Sequence, residues 1–307
     1  MFFAFFVIFV RQTTPKPQTL RTMKKSFTRF TLSAILLLFS GITISYAQQA
    51  TSREHLPTEK HAKKERAKRA HKGWRLVWSD EFGGDEIDGT SWQRCLRYGS
   101  PWNRHMSLLD SLVKVQGGVV ELWGINRPEG YQDSLKFLTG GLDSRGMRAI
   151  RNGRIDVRAR LDQAQGFWPA IWMMPESNLP WPEAGEIDIM EHLNFDDYIY
   201  QTVHSGHIEG LRQPKTQHDH KEKVDVTVFN IYSVEITPNE IIYYINGRHT
   251  FSYPRLDPEP KGQYPFDDYE YYMILSAQLG GHWIGPIEAE QLPVKMEVDY
   301  VRFYERR

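Results

Sequence analysis

Cysteine is nearly absent from this chain. Cys95 stands alone in 307 residues, so no internal disulfide staples the fold, and the single thiol reads as a small buried residue. Long apolar runs are missing too. Phe2 to Val10 and Leu32 to Ile44 are the main ones; both fall short of the about 20 apolar residues that a membrane span requires, so stable membrane insertion is not expected. The whole chain has no excess of one charge, with 38 Lys/Arg against 38 Asp/Glu, but the balance is uneven along it. The first 47 residues hold six Lys/Arg and no acid, and Ser52 to Lys72 holds eight Lys/Arg against three acids. Residues 73–307 are left with 24 Lys/Arg and 35 Asp/Glu, a net charge of −11, which argues against a nucleic-acid partner, since phosphates demand a basic face.

The leader has the order of an export signal. Met23-Lys24-Lys25 is a charged start, Leu32 to Ile44 an apolar stretch, and Ser45-Tyr46-Ala47 a small-residue cleavage site before Gln48. We therefore expect residues 1–47 to be a leader with its true start at Met23, residues 48–72 a basic disordered linker, and residues 73–307 one folded domain. The mature protein is expected to be periplasmic or extracellular. The linker has no aromatic residue with which to form a core.

Helical periodicity is also lacking after Gly73. Segments alternate polar and apolar with period two and are punctuated by Gly, Pro or Asn-Gly. Gly153 to Leu161 sets Ile155, Val157, Ala159 and Leu161 on one face and four charged side chains on the other, a half-buried strand. Val113 to Leu122 forms a hairpin about Gln116-Gly117-Gly118, Ile242 to Phe251 forms another about Asn246-Gly247, and Val294 to Tyr304 forms the last strand. With no βαβ rhythm and no fixed repeat, the expected fold is all-β, a two-sheet antiparallel jelly-roll sandwich.

Aromatics, by contrast, are plentiful at 13%, with nine Trp. Sugar-binding surfaces use such rings, because the C–H faces of a pyranose pack on an aromatic plane. The sharpest local signal is Gly185-Glu186-Ile187-Asp188-Ile189-Met190-Glu191-His192. Regular alternation would put Glu186 and Asp188 on one face and Glu191 on the other. A β-bulge near Ile189-Met190 would bring all three carboxylates together, and such crowding raises the pKa of each neighbour. Glycoside hydrolysis needs one protonated and one ionised carboxyl, which a crowded pair supplies.

This segment resembles the Glu-x-Asp-x-x-Glu signature of glycoside hydrolase family 16, the family of laminarinases, agarases and carrageenases. The likeness continues in Asp80-Glu81-Phe82, Asn152 to Leu161, Gly166 to Pro175, Thr202-Val203-His204, Gly280-Gly281-His282-Trp283 and Val298 to Tyr304, in the family's order. The resemblance implies a concanavalin-like jelly roll and an endo-acting, retaining hydrolase of a β-linked polysaccharide or glycan. It also implies Glu186 as nucleophile, Glu191 as acid/base and Asp188 as the group that hydrogen-bonds and tunes Glu186. Trp168 and Trp172 then line the subsite at the scissile bond, with His204 near the catalytic strand. Trp102, Arg104 and Trp283 are candidate further sugar contacts. No cofactor is required; a structural calcium is a candidate at Glu81 and Asp299, although two carboxylates do not complete a six-to-eight-oxygen site. His218-Asp219-His220 reads as a solvated loop.

The sequence departs from the laminarinase pattern at Trp102 to Ser107, at Gly140 to Ser144, where an Arg is missing, and at His192, where Tyr is usual. These departures leave the choice among β-1,3-glucan, mixed-linkage glucan and galactose-containing glycan open. A non-catalytic sugar-binding jelly roll and a transglycosylase are the alternatives.

Overall fold

The computed structural model describes residues 73–210 and 216–307; the expectations for the leader and the linker lie outside them. The first strands in chain order are β1 (Trp74–Asp80), β2 (Gln93–Arg94), β3 (Val113–Gln116), β4 (Val119–Asn126), β5 (Phe137–Thr139), β6 (Gly141–Asp143), β7 (Ala149–Ile150), β8 (Gly153–Leu161) and β9 (Phe167–Pro175). Then follow β10 (Glu186–Glu191), β11 (Tyr198–His204), β12 (Asp219–Lys223), β13 (Asn230–Ile236), β14 (Glu240–Ile245), β15 (Arg248–Pro254), β16 (Tyr271–Leu279) and β17 (Val294–Arg306). Among the described residues the only helix is one α-turn, Gly206–Glu209, and a few short 3-10 turns.

The strands form two antiparallel sheets. One runs β15-β14-β13-β8-β17-β4-β3, with β1 on β17 and β5 on β4; the other runs β12-β11-β10-β9-β16-β6-β2, with β7 on β16. Ile155 and Val157 of β8, Ile171 and Met173 of β9, Ile187 and Met190 of β10, and Met273 and Leu275 of β16 meet in one continuous core. Period-two spacing directs those of β8, β9 and β16 there. Both expected hairpins are present, as β3–β4 and β14–β15.

Two sequence expectations are corrected. The charged face of β8 is solvated only toward its end: Arg154 and Asp156 are buried, while Arg160 is exposed. β8 lies centrally, between β13 and β17, so its charges meet partners on neighbouring strands. Arg154 donates to Asp156 at 2.8 Å and to Glu235 at 2.9 Å, and Arg160 pairs with Glu297 at 2.5 Å. Pairing of this kind, within β8 and across to its neighbours, is what makes burying such charges tolerable. The other correction concerns His218-Asp219-His220, since Asp219 and His220 begin the edge strand β12. The His220 ring stacks on Phe251 at 6.0 Å. A uniformly polar strand leaves no alternation to read, yet charged residues are what an unpaired sheet edge favours.

Candidate active site

β10 lies between β9 and β11 in the middle of its sheet. It starts directly after Gly185, whose φ is 82° and where a Cβ would approach Phe266 Cε1 to 2.6 Å; only glycine fits this entry. Asp188 pairs with Trp172 on β9 and Thr202 on β11, whereas Glu191 pairs with Ala170 and Tyr200. Between those points β10 uses one residue more than either neighbour, so the bulge lies at Ile189-Met190. Both of these residues are fully buried in the core. The extra residue resets the alternation and returns Glu191 to the face already occupied by Glu186 and Asp188.

Each carboxylate is held by a neighbour on that outward face. Trp181 Nε1 donates to Glu186 Oε2 at 2.5 Å, and Trp168 Nε1 donates to Glu191 Oε1 at 2.9 Å. His204, opposite Glu186 on β11, brings Nε2 to 3.3 Å from Asp188 Oδ2 and Nδ1 to 2.6 Å from Glu209 Oε1. The Asp188 contact is close enough for a charge pair but lacks hydrogen-bond geometry, and Asp188 Oδ2 has no hydrogen-bond partner among the described residues.

Burial opposes a charge on His204, but Asp188, Glu186 and Glu209 outweigh it and push the imidazole up to about 10. Burial and the charge on Asp188 push Glu186 up to about 8, against the opposing pull of His204 and the Trp181 hydrogen bond. Burial, then Asp188, lifts Glu191 well above the usual carboxylate range. The face therefore cannot hold three full negative charges near neutrality. His204 and an indole donor oppose the rise at both glutamates, Trp181 at Glu186 and Trp168 at Glu191, while Glu191 is the more completely buried. With Glu191 lifted the more strongly, a proton on this face is held more firmly by Glu191 than by Glu186.

Glu186, Asp188 and His204 offer ligand atoms within 4.8 Å of one another, a spacing that would suit a cation. An imidazolium whose two nitrogens both face carboxylates is a poor ligand, since metals bind the neutral ring. The calcium expectation fits less well still. Both oxygens of Glu81 accept from Arg302, at 2.9 and 2.8 Å, and Asp299 Oδ2 accepts from Arg158 at 2.6 Å. Carboxylates so engaged do not present the open oxygen cluster that calcium takes, and the residues as placed do not fit that ion.

The aromatic candidates divide. Trp168 is partly exposed beside Glu191, and its ring meets Trp283 edge-on at 5.3 Å. Trp172 is 5% exposed, donates to Ser276 Oγ at 3.1 Å and meets Trp102 edge-on at 4.9 Å. It belongs to a small cluster with buried Cys95 and Met106, so it is the floor of this face more than an open platform. Arg104 is exposed, and no hydrogen bond or ion pair among the described residues joins it to the carboxylates.

Several residues at the site escape sequence reasoning. Trp181 reaches Glu186 from a loop five positions upstream, where Pro180 and Pro182 flanking an aromatic were the available signal. Tyr200 shares the parity of His204 on β11 and touches Trp283 at 5.0 Å. Gln278 pairs with Trp168 across β16–β9, and its buried Oε1 has no partner among the described residues. Ser276 and Gln278 were legible as the polar pair in an otherwise apolar strand. Glu209 had no signal, because its role comes from the turn that folds it back onto His204.

The model of glycosyl hydrolases family 16 matches residues 119–302. A keratan-sulfate endo-1,4-beta-galactosidase of Sphingobacterium multivorum is 35% identical over 235 residues, covering 75% of this chain and 55% of that protein, so the chain spans about half the length of this relative. A beta-glucanase of Rhodothermus marinus is 32% identical over 251 residues, covering 75% of this chain and 85% of the relative. A solved structure described with endo-acting O-glycanases, which prominent members of the human gut microbiota express to initiate mucin breakdown, aligns with a TM-score of 0.66 at 33% identity. It covers 75% of this chain and 98% of that one. With a family match that takes in most of both sheets and the bulged acidic strand at its centre, the chain belongs to glycosyl hydrolase family 16.

Proposed function

We propose that this protein is an exported, endo-acting, retaining hydrolase of β-linked glycans, with Glu186 as nucleophile, Glu191 as acid/base and Asp188 between them. The observation that carries the reading is the bulge at Ile189-Met190, without which no one sugar could touch both glutamates. In the first step a Glu186 oxygen bonds to the anomeric carbon as the glycosidic C–O bond breaks, and the Glu191 proton passes to the leaving oxygen. In the second step the Glu191 carboxylate takes a proton from water, whose oxygen attacks the same carbon and releases Glu186. His204, a cation in the acid cluster, limits the cost of ionising Glu186.

Among substrates we favour a β-galactosidic glycan. Its support is the keratan-sulfate endo-1,4-beta-galactosidase relative, together with the departures from the laminarinase pattern at Trp102 to Ser107 and Gly140 to Ser144. The test is a product profile on laminarin, mixed-linkage glucan, agar-type galactans and poly-lactosamine chains. Oligosaccharides from the galactose-containing chains are expected. Release from glucans alone would overturn the substrate, and no release from any would overturn the hydrolase. Export is expected to leave Gln48 as the first residue of extracytoplasmic protein, read by N-terminal sequencing; an intact leader in the membrane fraction would contradict it.

Trp168→Ala is expected to cost about 10-fold or more in kcat/KM on polymer, because ring stacking contributes about 1–3 kcal/mol by analogy with other ring-on-ring surfaces. Loss of the cooperative melting transition, with full activity per folded molecule, would make Trp168 structural. The pH profile carries a second expectation. The active form has Glu186 ionised and Glu191 protonated, so kcat/KM falls in acid as Glu186 gains a proton and in alkali as Glu191 loses one. His204 is charged below about 10 and lowers both groups. His204→Gln should therefore move both limbs to higher pH, and limbs that stay or move down would refute the imidazolium's role.

A further inference from the structure

We propose that Lys221 reads a negatively charged substituent, a sulfate ester or a carboxylate, on the glycan bound beside Glu191; this deepens the hydrolase reading and rests on it. Strand register provides the geometry. Ser276, Ala170, Glu191, Tyr200 and Lys221 pair in succession across β16, β9, β10, β11 and β12. They form one lateral row on the outward face, and Lys221 lies two strands from the acid/base, roughly 10 Å at the usual strand spacing. A substituent on a sugar beyond the scissile bond falls within reach of such a position.

The row is paved for a sugar chain. Trp168 touches Trp283, and Trp283 touches Tyr200, edge to face at 5.3 and 5.0 Å. Tyr198 adjoins Tyr200 at 5.3 Å, and the Lys221 ammonium stands 4.8 Å from the centroid of each tyrosine ring. Aromatic faces hold a cation in place without neutralising it.

Within β12, Lys221 differs from its neighbour in pairing. Lys223, next on the same face, is paired with Asp197 at 2.7 Å, and Lys295 is paired with Glu121 and Glu297 at 2.5 and 3.2 Å. Lys221 has no carboxylate within ion-pair distance among the described residues. Asp196, the acid of this corner, instead accepts from the Tyr200 hydroxyl at 3.3 Å. A domain of net charge −11 thus keeps an uncompensated cation at the end of the row that carries its acid/base. A neutral glucan would leave that charge unanswered, whereas an anionic substituent would meet a positioned ammonium and give a charge-assisted hydrogen bond.

The test is calorimetric titration of the full chain carrying Glu186→Gln, which separates binding from turnover. The ligands are a keratan-sulfate oligosaccharide, its desulfated twin and a sialylated chain on the same backbone. The expected result is at least about 10-fold tighter binding of a charged ligand than of the neutral twin, the size of one hydrogen bond to a charged group. Adding Lys221→Gln should bring that ratio to within about two-fold of one, and Lys221→Glu should invert it. Lys114→Gln, which removes a similar ring-bound cation on β3 of the other sheet, should keep the ratio. Tighter binding of the sulfated ligand alone identifies a sulfate ester as the group read, and of the sialylated ligand alone a carboxylate. Equal binding of all three, a ratio that survives Lys221→Gln, or no binding of any would overturn the inference. Turnover of the sulfated, sialylated and desulfated chains and of laminarin by the unmutated protein is measured in parallel, and the hydrolase reading requires release from at least one of them. Its absence would indict the hydrolase reading instead of the lysine.

Discussion

Glu186→Ala is expected to lose at least ~10⁴-fold in kcat on glycan, the order of loss seen when an essential member of a catalytic unit is removed. The fold should survive. Glu186 is partly exposed at the start of β10, it accepts a hydrogen bond from a half-exposed Trp181, and its removal relieves repulsion from Asp188. The smaller side chain leaves room beside the anomeric carbon, so azide with an activated aryl β-glycoside should restore part of the activity. Azide entering from the vacated side gives the α-glycosyl azide in a single displacement. β-Glycosyl azide from this variant would move the nucleophile's role to Glu191.

Glu191→Ala should behave differently, although the two residues share a strand and a face. General acid catalysis is worth about 10²–10⁴-fold, so that is the expected loss on natural glycans with poor leaving groups. An aryl glycoside with a good leaving group needs little protonation, and its first step should be nearly spared. The glycosyl-enzyme on Glu186 would then accumulate for want of a base, and azide should capture it as the β-glycosyl azide. The alkaline limb of the pH profile should vanish with the group that carries it. Equal loss on both kinds of substrate, with the alkaline limb intact, would mean that Glu191 is not the acid.

The fold was legible wherever alternation was clean. Val113 to Leu122, Ile242 to Phe251 and the apolar face of Gly153 to Leu161 all lie where their periodicity put them, because side-chain parity and burial are one property in a sheet. What escaped was the fate of the polar parity. Whether Arg154 and Asp156 meet water or each other depends on β8 having a strand on both sides, which is a property of sheet order and not of the segment. The same holds for β12, whose side chains are polar on both faces.

At the site, the acid triplet was readable because its odd spacing made sense only with a bulge. The sheet pairing supplies that bulge at Ile189-Met190. Trp168 and Trp172 were named through the family resemblance, which did not separate them: one parity places both on the outward face, and only the packing of Cys95, Met106 and Trp102 buries the second. Glu209 and Trp181 reach the acids from loops, where no periodicity operates. Glu81 and Asp299 were read as calcium candidates through the family resemblance; their arginine partners, Arg302 and Arg158, come from other positions in the sheet.

The most direct measurement of the central claim is the configuration of the sugar at the moment of release, followed by proton NMR of the new reducing end during the first turnovers on the glycan that the protein cleaves. Double displacement at Glu186 predicts that the β-anomer appears first and the α-anomer grows in later by mutarotation. It also requires carboxyls about 5–5.5 Å apart. An α-anomer formed first would mean a single displacement by water, which needs roughly 6.5–9.5 Å between the two acids, and would contradict the assignment of Glu186 as nucleophile.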